Sequence, residues 1–144
     1  MKSESEQMKF VVIDDDEVDR EVVRRALRKI GSDTPVIEAE NGIEALQLLR
    51  GTADNAPLAK PYVIILDLNM PQMNGFEFLD ELRSDRSLKY TPIFILSTSD
   101  ATIDKEQAYR RCISGYIVKS QKNEDFLDAM TMLDRYHRVT ELPV

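Results

Sequence analysis

The chain has 144 residues and a formal net charge of −7, from 19 Lys and Arg against 26 Asp and Glu; its length suits a single domain of about 100–150 residues. With 42% hydrophobic and 31% charged residues it is neither disordered nor collagen-like, and the acidic balance argues against nucleic acid as a partner, because phosphates are held by Lys and Arg. The single cysteine, Cys112, excludes an intramolecular disulfide, the polar start Met1–Met8 has no apolar leader core, and no run approaches the ~20 apolar residues of a membrane span. A cytoplasmic protein without a membrane partner is expected.

After a polar tail over residues 1–8, Phe10-Val11-Val12-Ile13 forms a first apolar run that stops at Asp14. Val18, Val22, Val23, Ala26, Leu27 and Ile30 then fall on one helical face, closed by Gly31. Pro35–Ala39 predicts a weaker, edge strand, where proline is tolerated. Asn41-Gly42 opens a helix through Arg50, and residues 51–61 read as a surface loop. Tyr62–Leu66 ends at Asp67, a helix striped by Phe76, Leu79 and Leu82 follows, and Ile93–Leu96 ends at Ser97. Residues 101–111 carry few apolar positions and predict a shallowly packed helix, with Cys112 expected as a buried thiol on that helix or at its exit. Tyr116-Ile117-Val118 ends at Lys119, and Phe126, Met130 and Leu133 stripe a last helix after Asn123, leaving 138–144 as a tail. Continuous Val- and Ile-rich runs read as strands buried on both faces of a parallel sheet. Five strands alternating with five helices predict an α/β, doubly wound domain over residues 9–137.

In such a sheet every strand points its carboxyl end to one edge, where ligands bind. Asp14 and Asp15, Asp67, Ser97 with Thr98, and Lys119 therefore converge. Three carboxylates at close range repel unless one protonates or a cation joins them. A divalent ion that favours oxygen fits, magnesium best, since it keeps open positions for phosphate oxygens. Such a site is suited to holding a phosphoryl group on Asp67, with Lys119 and the Ser97 hydroxyl offsetting its charge.

The cluster Asp14-Asp15-Asp16, the stretch from Asp67 to Gly75, Ser97-Thr98, and Gly115-Tyr116-Ile117-Val118-Lys119 resemble, in order, the receiver domain of bacterial two-component response regulators. The resemblance spans roughly residues 8–136 and implies a flavodoxin-like fold with a five-stranded sheet in the order 2-1-3-4-5. It implies that Asp67 is the phosphoryl acceptor and Asp15 a direct metal ligand. Asp14 would reach the metal through water, and Asn69 would complete its sphere with a backbone carbonyl. Ser97 and Lys119 would contact the phosphoryl group, and Tyr116 would be the aromatic that turns in on activation. The implied partners are a histidine kinase or a histidine phosphotransfer protein and a downstream protein. Turnover of a separate substrate is not implied. Ser120 stands where most receivers have proline, so a cis bond after Lys119 is not carried over. Lys119-Ser120, the stretch Leu96–Ser99, the long loop before the third strand and Leu142-Pro143 resemble small stand-alone regulators paired with bacterial phytochrome-type kinases. That likeness implies a homodimer through the fourth helix, fifth strand and fifth helix.

Plainer readings compete. Asp14–Asp19 could merely start a helix, but a calcium loop fails, because its sixth and twelfth positions would be Asp19 and Arg25 rather than Gly and Glu. A haloacid-dehalogenase-type phosphatase needs an acid where Asn69 stands. Tyr116 read alone is a packing residue as easily as a switch. The alternative from another class is a receiver-fold interaction module that binds without phosphorylation.

Overall fold

The computed structural model describes residues 7–119 and 123–144. Its elements run β1 (Lys9–Ile13), α1 (Glu17–Lys29), β2 (Val36–Ala39), α2 (Gly42–Arg50), β3 (Tyr62–Leu66), α3 (Gly75–Ser84), β4 (Ile93–Ser97), α4 (Thr102–Arg110), β5 (Gly115–Val118) and α5 (Asn123–Val139). All strand pairs are parallel and the order is β2-β1-β3-β4-β5, as expected. The peptide joining Lys119 to Ser120 lies outside the described residues, as do residues 1–6 of the expected tail.

Successive strand residues point to opposite faces, and this alternation divides the apolar runs between two cores. Val11, Ile13, Ile64, Leu66, Ile93 and Ile95 meet α2, α3 and Ala108 of α4. Phe10, Val12, Val63, Ile65, Phe94 and Leu96 meet Val23, Ala26 and Leu27 of α1 and Met130 and Leu133 of α5. The central strands β1, β3 and β4 are thus fully buried. Polar side chains set the starts of α1 and α3: Asp16 caps α1 by accepting from the Val18 N–H, and Asn74 and Glu77 close a reciprocal capping box on α3.

Three expectations are corrected. β5 is half-buried rather than covered on both faces, because strand order places it at the sheet edge. Cys112 is exposed, in the left-handed position that ends α4 (φ 61°), where the backbone turns its side chain outward. The last helix continues to Val139, past the expected boundary at 138, and Leu142 packs on the α1/α5 core rather than trailing free. Among the described residues no helix is long and apolar enough to cross a membrane.

Candidate functional site

The sheet carries the site residues on its own hydrogen-bond ladder. Beyond β1, the Asp14 N–H donates to the Ala39 carbonyl; beyond β3, Asp67 donates to Ile13; beyond β5, Lys119 donates to Ser97. Each residue is therefore fixed to a neighbouring strand just where its own strand ends. Asp14 and Asp67 are buried, whereas Asp15 is exposed. One carboxylate oxygen from each of the three lies within 4.8 Å of the others. Hard oxygen donors at this spacing fit a divalent cation such as magnesium.

Short turns aim the carboxylates. Asp14 Oδ1 accepts the Asp16 N–H at 2.9 Å, and Asp67 Oδ1 accepts the Asn69 N–H at 3.4 Å. Burial pushes the Asp67 carboxyl up to about 6; Lys119 opposes the shift, and the charges of Asp14 and Asp15 add to it. Burial likewise raises Asp14, against its bonds to the Asp16 N–H and Lys119. These are the energetic signatures of carboxylates crowded in a partly dry pocket.

Lys119 brings an ammonium into the pocket. Its ammonium lies 3.1 Å from Asp14 Oδ2, 3.0 Å from Asp19 Oδ2 and 4.0 Å from Asp67 Oδ1. Ser97 ends β4 with a fully buried hydroxyl that accepts the Ser99 N–H at 3.2 Å. Tyr116 packs inward against the α2/α3 core and donates its hydroxyl to the Ser99 carbonyl at 2.8 Å. The Ser99 hydroxyl in turn donates to Asp104 of α4 at 2.5 Å. The loop after Ser97 thus joins the pocket edge, Tyr116 and α4.

Two contributors escaped the sequence reading. Asp19 read only as a helix-start acid, although it pairs with Lys119. Arg20, buried at the pocket's back, donates to the Asp14 carbonyl at 2.6 Å and to Glu38 of β2 at 3.0 Å. Only its position on the buried face of α1, beside Val23, could have marked it.

The model of the response regulator receiver domain matches residues 10–131. The chain belongs to the response regulator receiver family. Receiver domains accept phosphoryl groups in two-component signalling, are phosphorylated by histidine kinases, and bind magnesium or manganese at an acidic site. This receiver is 35% identical over 112 residues to the chemotaxis protein CheY1 of Helicobacter pylori, covering 78% of this chain and 85% of the relative. It is 28% identical to the response regulator Rcp1 of Synechocystis, over 94% and 93% of the two chains. Among solved structures, the phosphorylated cyanobacterial phytochrome response regulator RcpA superposes with a TM-score of 0.85 at 29% identity, covering 96% of this chain and 99% of that one.

Proposed function

We propose that this receiver accepts a phosphoryl group on Asp67 from a partner histidine kinase or histidine phosphotransfer protein, and signals by a change in what it binds. The observation that carries this reading is the meeting of Asp14, Asp15 and Asp67 with the Lys119 ammonium, 4.0 Å from the Asp67 oxygen. In the transfer, Asp67 Oδ forms the new P–O bond as the donor's P–N bond breaks; the electron pair stays on the imidazole nitrogen, which takes a proton. Asp14, Asp15, Asp67 and the Asn69 carbonyl would hold magnesium. The bound ion supplies positive charge against the carboxylates and the phosphoryl oxygens. Lys119 and the Ser97 hydroxyl take the remaining phosphoryl oxygens.

The output runs through the loop after Ser97. A phosphoryl group that draws in the Ser97 hydroxyl favours the inward Tyr116, whose hydroxyl already reaches the Ser99 carbonyl. Its power to shift the equilibrium is set by how differently it contacts the two states. The likeness to the phytochrome response regulator RcpA favours a phytochrome-type kinase upstream, and a homodimer through α4, β5 and α5 is part of the same proposal.

Intact mass after incubation with acetyl phosphate tests the reading. One phosphoryl group is expected on the wild type with magnesium, and none on Asp67→Asn, which loses the nucleophilic oxygen but keeps its volume. Equal labelling of the variant would remove Asp67 from the role. No labelling of the wild type under any condition would favour a phosphorylation-independent binding module.

A further inference from the structure

Lys119 is shared by more carboxylates than a phosphoryl contact requires. An ammonium has three donor hydrogens, and Asp14 and Asp19 engage it at 3.1 and 3.0 Å while Asp67 stands off at 4.0 Å. Asp19 differs from the other acids in origin, because it comes from the first turn of α1 and not from a strand end. The Lys119 backbone is fixed by its bond to the Ser97 carbonyl at 2.6 Å. The flexible four-carbon stem therefore decides which carboxylate the ammonium serves.

We propose that Asp19 is a positioning residue: it anchors Lys119 on the α1 side of the pocket, and Asp67 must compete with it for the same cation. This rests on the reading of Asp67 as the phosphoryl acceptor. The two anchors differ in strength for a physical reason. The Asp14 side chain is 7% exposed and that of Asp19 41%, so water screens the Asp19 pair far more. A phosphoryl group carrying close to two negative charges in the pocket draws on Lys119 strongly enough to break the screened contact first. Asp19 is thus an exchangeable tether that tunes both the acceptance of the phosphoryl group and its retention.

Asp19→Asn, which keeps the shape and removes the charge, tests the tether in two ways. In crystal structures of wild type and variant grown alike, Lys119 Nζ is expected to leave its 4.0 Å position and reach hydrogen-bond distance of Asp67 in the variant. An ammonium that stays where it is overturns the proposal, whatever the phosphorylation chemistry. In solution with acetyl phosphate and magnesium, the phosphorus–oxygen bond to acetate breaks, acetate leaves with the electron pair, and the new bond forms to Asp67. Asp19→Asn is expected to label about threefold faster or more, as repulsion of the anionic donor falls. It should also lose its label more slowly, while Asp19→Glu returns toward wild type. Wild-type rates in Asp19→Asn, with Asp67→Asn unlabelled, would overturn the tether alone. Labelling of Asp67→Asn as fast as wild type would instead overturn the reading of Asp67, leaving the crystal structures to judge the tether.

Discussion

Gly75 shows how closely a single residue can constrain the pocket. Its N–H donates to the Leu68 carbonyl at 2.9 Å. A Cβ there would lie 2.7 Å from the Leu68 Cα and 2.9 Å from the Asp67 carbonyl oxygen. Both neighbours are backbone, so no rotamer change can make room. Gly75→Ala is expected to cost about 2–3 kcal/mol by overpacking and to push the Asp67 turn outward, slowing phosphoryl uptake. Urea denaturation and intact-mass labelling of the variant measure both effects, and an unchanged midpoint would contradict the close approach. Asp67 itself sits in a loop that also holds Gln72 in the left-handed region at φ 68°, a conformation that side chains other than Gly, Asn and Asp seldom adopt.

At the scale of elements, Arg83 of α3 ties two loops together. Its guanidinium donates to the Lys89 and Thr91 carbonyls before β4, at 2.8 and 3.0 Å, and to the Arg111 and Cys112 carbonyls before β5, at 2.9 and 2.8 Å. One side chain thereby fixes the entries of both strands whose far ends carry Ser97 and Lys119. Hydrogen bonds to a charged donor are worth about 1.5–3 kcal/mol where water is excluded and less where it is not. Arg83→Met, which keeps the apolar stem, is expected to lose about 3 kcal/mol in all. Chemical denaturation reads this directly, and a loss below about 1 kcal/mol would show that water replaces the bonds. Arg50, paired with Glu81 and Asp85 at the surface, illustrates the weaker, screened case.

For the whole molecule, the pocket links stability to pH and to divalent ions. The Asp67 carboxyl at about 6 lies above its usual 3.8, so in the absence of a cation the folded protein binds a proton that the unfolded chain releases. This group's contribution is therefore fully present below pH 3.8 and is lost as pH rises through 6, a swing of about 3 kcal/mol. A divalent ion that binds only the folded state restores stability at neutral pH. Magnesium should thus raise the thermal midpoint at pH 7.5, and the increment should shrink as protons compete below pH 6. Asp15→Ala, which removes the exposed carboxylate, should reduce it at every pH. Thermal scans with magnesium or with EDTA across pH 5–8 test the linkage; an increment independent of pH would place the ion away from Asp67.

The sequence alone determined the alternation of strands and helices and most of the pocket, while the strand order came with the resemblance to receivers. Continuous apolar runs ending in Asp14, Asp67, Ser97 and Lys119 required a buried parallel sheet, and a parallel sheet brings its carboxyl ends together. The starts of α1, α2 and α3 were equally local, because Asp16, Asn41 and Asn74 cap their own helices. What only the tertiary structure decided depends on residues distant in the chain. Asp19 meets Lys119 across 100 positions and Arg20 meets Glu38 across 18, and neither pairing leaves a periodic trace. The exposure of Cys112 and the half-burial of β5 follow from backbone conformation and strand order, whereas hydropathy records only what a residue prefers. Leu142 docks on the α1/α5 core because that surface exists only once both helices have packed on the sheet.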